Sequence, residues 1–593
     1  MNGARPAATL DPPLSQRGSP LTRSRALPLA ERPRLARLIA ARAWERLRAA
    51  AHWPFYVVTE WRFRLPEKLL VAPPDIRTGD PTVAEDIYGG YYAFGGKIVN
   101  AHGASPFGLP PPSIEWAKAL YGFGWLRHMR AADSALARAN ARSLVKEFLA
   151  RLPRSAQGPA WEVEVTARRT MAWLSQSPIL LEGADYEFYR RFIRALTKGY
   201  FLLQRRVDTA WPGEARMSAA IAMTTFALCA QGGGFLLKKA VRALNDQLAR
   251  QILADGGAAD RNPQTLLDLL FDLLPLRQAF AARGKAPPAD LLRAIDRIWP
   301  ALRMFRHGDG SLALFNGMGV TAPDRIAIAL AYEETRGQPI FNARYSGYQR
   351  LEAGDALVLI DAGAAPPPLH SGDAHAGCLS FEFSLGPDRI VINCGNPGPR
   401  RADLRLSARM TAAHSTLSLD DEASCLFGYQ TGAPAWLADK ILAGPQNVHV
   451  AREDVAQGAQ VLASHDGYAL RRGLYHERRW RLDANGRRLR GRDRLIPVKG
   501  DSGANVNYAI RFHIHPSVAL TLIAEGAAIL LETPGGASLV FDAGGLPLSI
   551  EESIFFAAHE GPRPCEQLVI YGASADIDEI DWCFARQDGA AAP

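Results

Sequence analysis

Apolar residues recur every three or four positions through the first half of this chain and every second position through the rest. Leu35, Leu38, Ile39, Ala43 and Leu47 follow the helical step, and so do Val163, Ala167, Met171 and Leu174. The same period predicts helices over 185–206, 217–230, 236–253, 264–282, 288–304 and 322–334. Helices of this length joined by short links predict an α/α toroid or a solenoid, and no fixed repeat separates the two. Near 336–350 the period changes to alternation. Leu379, Phe381 and Phe383 alternate with Ser380, Glu382 and Ser384, and Gly386-Pro387-Asp388 turns the chain into the apolar run 390–392, which predicts a hairpin. Asn485-Gly486 predicts a type I′ hairpin between 479–483 and 487–490. The density of short strands indicates an antiparallel β-sandwich. Helices first and strands afterwards predict two domains meeting at a cleft: an α/α-toroid-like domain over 31–335 and a sandwich over 336–593. Residues 1–30, rich in Pro, Arg and Ser, are expected to be a disordered basic tail.

Composition narrows the function classes. The 593 residues exceed what one hydrophobic core organises. Lys and Arg total 69 against 60 acidic residues, a net +9 that suits an anionic glycan. Helix-turn-helix spacing, zinc-finger cysteines and aromatic-basic RNA motifs are all missing, so nucleic acid is not an expected partner. No apolar run reaches the length of about 18 that a membrane span needs. The first fifty residues hold no signal-peptide core, and the six cysteines are scattered without a Cys-x-x-Cys pair. The expected location is therefore the cytoplasm. Oligomeric state leaves no mark in the sequence.

The segment Asp373-Ala-His375-Ala-Gly377, the strand ending Asn393-Cys-Gly395, and Ala413-His414-Ser415-Thr416 together resemble the signature of the heparinase II/III-like polysaccharide lyases, as a divergent bacterial member. His375 falls on the second histidine of the family's His-x-His-x-Asp element. His414 falls on the histidine of its Ala-His-Asn-Thr element. Asp373 stands in place of the first histidine, Gly377 in place of the aspartate, and Asn393 in place of a carboxylate that helps hold a structural metal. The resemblance implies a carbon-oxygen lyase acting by β-elimination on an acidic, uronate-containing polysaccharide, in the periplasm or cell envelope rather than the cytoplasm. Two histidines and an amide are a poor zinc set, so no metal or other cofactor is expected; the place the resemblance implies for a structural metal is near His375 and His414.

A uronate lyase must withdraw the proton at C5, stabilise the enolate and protonate the leaving O4. His414 is the first candidate for proton transfer. The family's Arg-Ser-Pro-x-Tyr-His element reads here Arg261-Asn262-Pro263-Gln264-Thr265-Leu266, so the tyrosine is Thr265. Tyr345 and Tyr348, at the change of period, are candidate replacement phenols. Arg261 and Arg216 are candidate clamps for a substrate carboxylate. Asn316, in the glycine-rich loop 309–319, and His375 are candidate substrate contacts. A working lyase requires His414, Arg261 or Arg216, Asn316 and one of the tyrosines to face one groove. The run Trp116, Tyr121, Phe123 and Trp125 reads as helix-packing core or as a sugar-stacking surface. Two alternatives stand beside the lyase. One is a glycan-binding or scaffold protein that keeps the fold after losing the chemistry, as Thr265, Gly377 and Asn393 suggest. The other is a glycoside hydrolase using Glu162 and Glu164, or Asp255 and Asp260.

Overall fold

The computed structural model describes residues 26–62, 65–151, 157–334, 337–498, 505–575 and 579–587. An α/α-toroid-like helical domain precedes an antiparallel β-sandwich. Burial sorts the helices into two classes. Val163–Ser175, Glu214–Cys229 and Pro263–Ala282 are covered nearly all round, and every residue from 217 to 229 is buried. Tyr186–Arg206, Gly234–Gln251 and Ala289–Met304 each bury one stripe and expose the other face. A helix apolar on all sides needs neighbours on all sides, so the first class forms the inner layer and the second packs outside it. Trp116, Phe123 and Trp125 belong to this packing and are buried, which settles the aromatic run as core.

The last helix of this domain, Pro323–Ala331, is followed by the first sandwich strand, Asn342–Ala343. One sheet has eight strands, with Val448–Val455 and Ala519–Ile523 at its edges; the other has nine, with Leu548–Phe555 and Asn342–Ala343 at its edges. Residues 1–25 of the expected tail lie outside the described residues. Leu27 is buried against Leu426 and Leu437 of the sandwich, so the last stretch of that tail is packed.

Two local readings change. The hairpin of Leu474–Asp483 and Arg488–Pro497 does form, with Leu482 opposite Leu489. Its turn spans four residues, and only Gly486 takes a positive φ, so it is not type I′, which needs two such residues. The hairpin Phe381–Leu385 and Asp388–Ile392 also forms, but its polar face is not solvated: Ser380, Glu382 and Ser384 are as buried as the phenylalanines. That face packs on the helical domain. The Glu382 carboxylate accepts bonds from His307 Nε2 at 2.9 Å, Leu314 N at 2.9 Å and Arg389 at 3.1 Å. Burial alone would raise its pKa, yet Arg389, His307 and the Leu314 N–H together hold it down to about 2. Apolar contacts complete the junction, with Tyr348, Leu359 and Ile392 sharing one core with Phe305, Leu312 and Phe315.

Candidate functional site

A cleft of about 830 Å³ opens where the N-terminal ends of Val163–Ser175, Glu214–Cys229 and Pro263–Ala282 face the sandwich segments around 369–374, 405 and 439–440. It shares Lys118, Glu164, Arg168 and Glu214 with a second hollow of about 690 Å³ in the helical domain. Helix N-termini favour negative charge, and the cleft is built accordingly. Glu164 and Glu214 occupy first turns. Asn262 caps its helix by accepting Gln264 N at 2.9 Å. Asp260 accepts Asn262 N at 3.0 Å and the Thr265 hydroxyl at 2.6 Å.

Among the described residues eight carboxylates line the cleft against five lysines and arginines, so its surplus is acidic. Its main cations are already paired. Arg168 bonds Asp272 at 2.5 Å and Glu214 at 2.9 Å, Arg405 bonds Asp373 at 2.8 Å, and Lys118 bonds Glu162 at 2.9 Å. Burial pushes Asp260 up to about 6, against the opposing bonds from Thr265 and Asn262. Burial, then the charge of Glu214, raises Glu164. Trp161 and Trp211 form aromatic walls, and Trp211 is 37% exposed.

The residues singled out in the sequence are not gathered here. His375 and His414 do meet, with Nδ1 of one 3.0 Å from Nε2 of the other, but His414 is 1% exposed and does not line the cleft. Its Nδ1 faces Met410 O at 2.8 Å, which makes Nδ1 the protonated nitrogen and leaves Nε2 to accept from His375. Burial drives His414 down to about 4 and His375 well below the usual imidazole range. Tyr348 is also buried; its hydroxyl donates to Arg261 O at 2.5 Å and accepts from Asn316 Nδ2 at 2.8 Å. Arg261, at φ +64°, gives its guanidinium to Ser346 O, Gly363 O, Ala364 O, Gly347 O and Asp361 Oδ1. Nothing of that fork is left for a substrate. It is a clamp between the two domains.

Arg216 lies outside the cleft, bonded to Glu45 at 2.8 Å and to the carbonyls of Asp208 and Ala210. Tyr345 is 70% exposed but opens to a different groove, with its backbone N–H held by Asp255 at 2.8 Å. Asp255 is thereby occupied away from the cleft, whereas Glu162, Glu164 and Asp260 line it. Asn316 alone of the expected quartet reaches the cleft wall. It sits at φ +47°, and its Nδ2 also donates to Asp361 at 2.9 Å.

The described residues at the place of the family's structural metal do not form a ligand set. A Cβ on Gly377 would stand 2.7 Å from His414 Cδ2, so the position expected to carry the aspartate is filled by the imidazole. Asn393 turns its Nδ2 to Glu382 and its Oδ1 to Ser415 N. Among the described residues no three His, Cys, Asp or Glu side chains converge. Two imidazoles facing each other do not fit the metal.

Residues the sequence did not point to are His370, Lys440, Trp211, Arg168 and Asp361. His370 belongs to no motif, yet it lines the cleft, and burial followed by Lys440 and Arg216 lowers its pKa. The signal that could have found the acidic wall was Glu164 just inside one predicted helix and Glu214 a few residues ahead of another.

Comparison with known proteins agrees with this architecture. The family profile "Heparinase II/III-like, C-terminal" matches residues 335–583. FtsZ-localized protein C of Caulobacter vibrioides is 31% identical over 556 residues, covering 90% of this chain and 94% of that protein. A mutant of the heparan sulfate lyase HepC from Pedobacter heparinus superposes with a TM-score of 0.61 at 14% identity, covering 95% of this chain and 92% of that one. A heparinase III structure gives 0.67 at 13% identity, covering 91% and 89%. Among the described residues no helix is long and apolar enough to cross a membrane.

Proposed function

The chain belongs to the heparinase II/III-like family as a divergent member, and from that premise we propose that it is a binding scaffold which keeps the lyase fold without eliminating. One observation carries the proposal. The family-matched histidine is sealed in the sandwich, bonded at both nitrogens, and among the described residues no tyrosine lines the cleft. A general base works within hydrogen-bond reach of its proton, about 3 Å or one water away. His414 has no such access. At the family's tyrosine position stands Thr265, whose hydroxyl is bonded to Asp260.

The cleft then serves as a glycan groove, with Trp211 stacking on a sugar face and the carboxylates and amides of the rim accepting and donating to hydroxyls. Acidic polysaccharide is the class that the family resemblance implies. A lining of eight carboxylates and five cations favours a chain of low charge density within that class. The relative's name places that protein with FtsZ; by extension this chain works beside FtsZ, holding glycan or glycan-handling proteins near that polymer.

The test incubates the purified chain with glycosaminoglycans, alginate and bacterial exopolysaccharides. Retardation in affinity electrophoresis without the ultraviolet absorbance of an unsaturated uronate is the expected result. Unsaturated product that vanishes in His370→Ala would contradict it. A second reading has one observation in its favour: Asp260, a carboxyl group pushed up to about 6 in a cleft that Glu164 also lines, has the properties of a glycosidase acid. New reducing ends, lost in Asp260→Asn, would select that reading.

A further inference from the structure

A third hollow, of about 610 Å³, lies at the edge of the sandwich beside Tyr345. One wall is Val448–Val455, an edge strand that pairs with Gly458–His465 and with no other strand among the described residues. The other wall is the edge of the second sheet, Asn342–Ala343, continued by the loop that carries Pro366 and Pro367. Arg452 staples the two edges together, donating to Phe341 O at 2.8 Å and Arg350 O at 3.0 Å. The end of Gly234–Gln251 closes the groove with Arg250, and Leu253 follows it.

Among the described residues the lining contains four arginines and no Asp or Glu. Arg261 is spent on the interdomain clamp. Arg250 and Arg452 pair with Asp246 and Asp454, both outside the lining, through exposed contacts that an incoming anion can exchange. Arg344 is exposed and has no carboxylate partner among the described residues. Between these cations lie apolar surfaces. Val450 points into the groove and is 40% exposed, beside Val448, Pro366 and Pro367.

This chemistry selects a class of ligand. Aliphatic and proline surface with a single phenol and no indole is a poor platform for sugar rings, which favour broad aromatic faces. Two sheet edges set side by side match an extended main chain, and planar guanidinium forks match carboxylates. We propose that this groove docks an extended peptide segment of a partner protein in which Asp or Glu alternates with aliphatic residues. Its carboxylates bind Arg344 and the neighbouring arginines, and its aliphatic side chains cover Val450 and Pro366.

The test uses the full chain and a dye-labelled peptide alternating Glu with Val, read by fluorescence anisotropy. The peptide should bind, weaken as salt is raised, and lose about tenfold or more in affinity with Arg344→Glu and, separately, with Val450→Asp. Both positions are exposed, so the unfolding midpoint should stay unchanged in each variant. The proposal is overturned if the peptide does not bind, if neither substitution weakens it, or if a Lys/Val peptide binds equally well. Binding of an oligouronate in place of the peptide, with the same dependence on Arg344, would overturn it in favour of a glycan site.

Discussion

The cleft and the edge groove border the same two domains, yet they hold their charge differently. In the cleft, carboxylates sit at helix N-termini and lysines and arginines are matched to them, so much of the charge is turned inward to hold the fold. In the edge groove the carboxylates lie outside the lining and Arg344 faces outward. Similar residues therefore serve opposite purposes. A cation that neutralises a helix-end carboxylate is not available to a polyanion, whereas one without a partner is. The net +9 of the chain says nothing of this, because it sums both regions.

The largest effect should come from breaking the clamp that separates the two hollows. Arg261→Ala leaves the Asp361 carboxylate buried without its cation, and should cost about 3–5 kcal/mol in urea unfolding. A loss under about 1 kcal/mol would mean that Arg261 is available for other work. Acid comes next. Burial holds the folded His414 down to about 4 and His375 well below the usual imidazole range, against about 6.5 in the unfolded chain. The unfolded state therefore takes up protons first as pH falls. The stability from these neutral imidazoles is complete above about pH 6.5 and is lost progressively down to about 4. Glu382 adds a second loss, beginning near 4.5 and continuing towards about 2. Thermal unfolding midpoints measured from pH 7 to pH 4 should fall monotonically; a flat profile would mean that His414 is solvated.

Smaller effects separate binding from stability. His414→Ala removes the bonds to Met410 O and His375 and should destabilise by about 1–3 kcal/mol, while glycan retention at pH 7 is unchanged. Trp211→Ala should do the reverse. It should weaken glycan binding by about 0.5–1.5 kcal/mol, read by isothermal titration, and, because the Trp211 ring also packs on Arg42 and Trp436, cost less in stability than in binding. Equal loss of both properties in both variants would erase the distinction between the cleft and the sandwich interior.

Much of the architecture was legible because periodicity reports burial. The helices and the two hairpins lie close to where the 3.6 and 2.0 residue steps put them. The exceptions are instructive. Glu382 alternates with phenylalanine as a solvent-facing residue would, but a second domain covers that face, and no pattern within one strand can show this. The meeting of His375 and His414 was legible from the family signature on which both fall; their burial was not. Arg261 looked like a free guanidinium because four of its five acceptors are backbone carbonyls some 85 to 103 residues away, which carry no residue signature. His370 carries no sequence signal, since neighbours such as Gly213 come from the other domain.

The account turns on whether His414 is closed to the cleft, and diethylpyrocarbonate labelling read by peptide mass spectrometry measures that directly. In the native protein His102 and His559, both exposed, should be modified readily, His370 at the cleft wall more slowly, and His375 and His414 only once the chain unfolds. Modification of His414 in the folded protein at a rate comparable to His370 would place it within reach of a substrate and return the chain to the eliminating lyases.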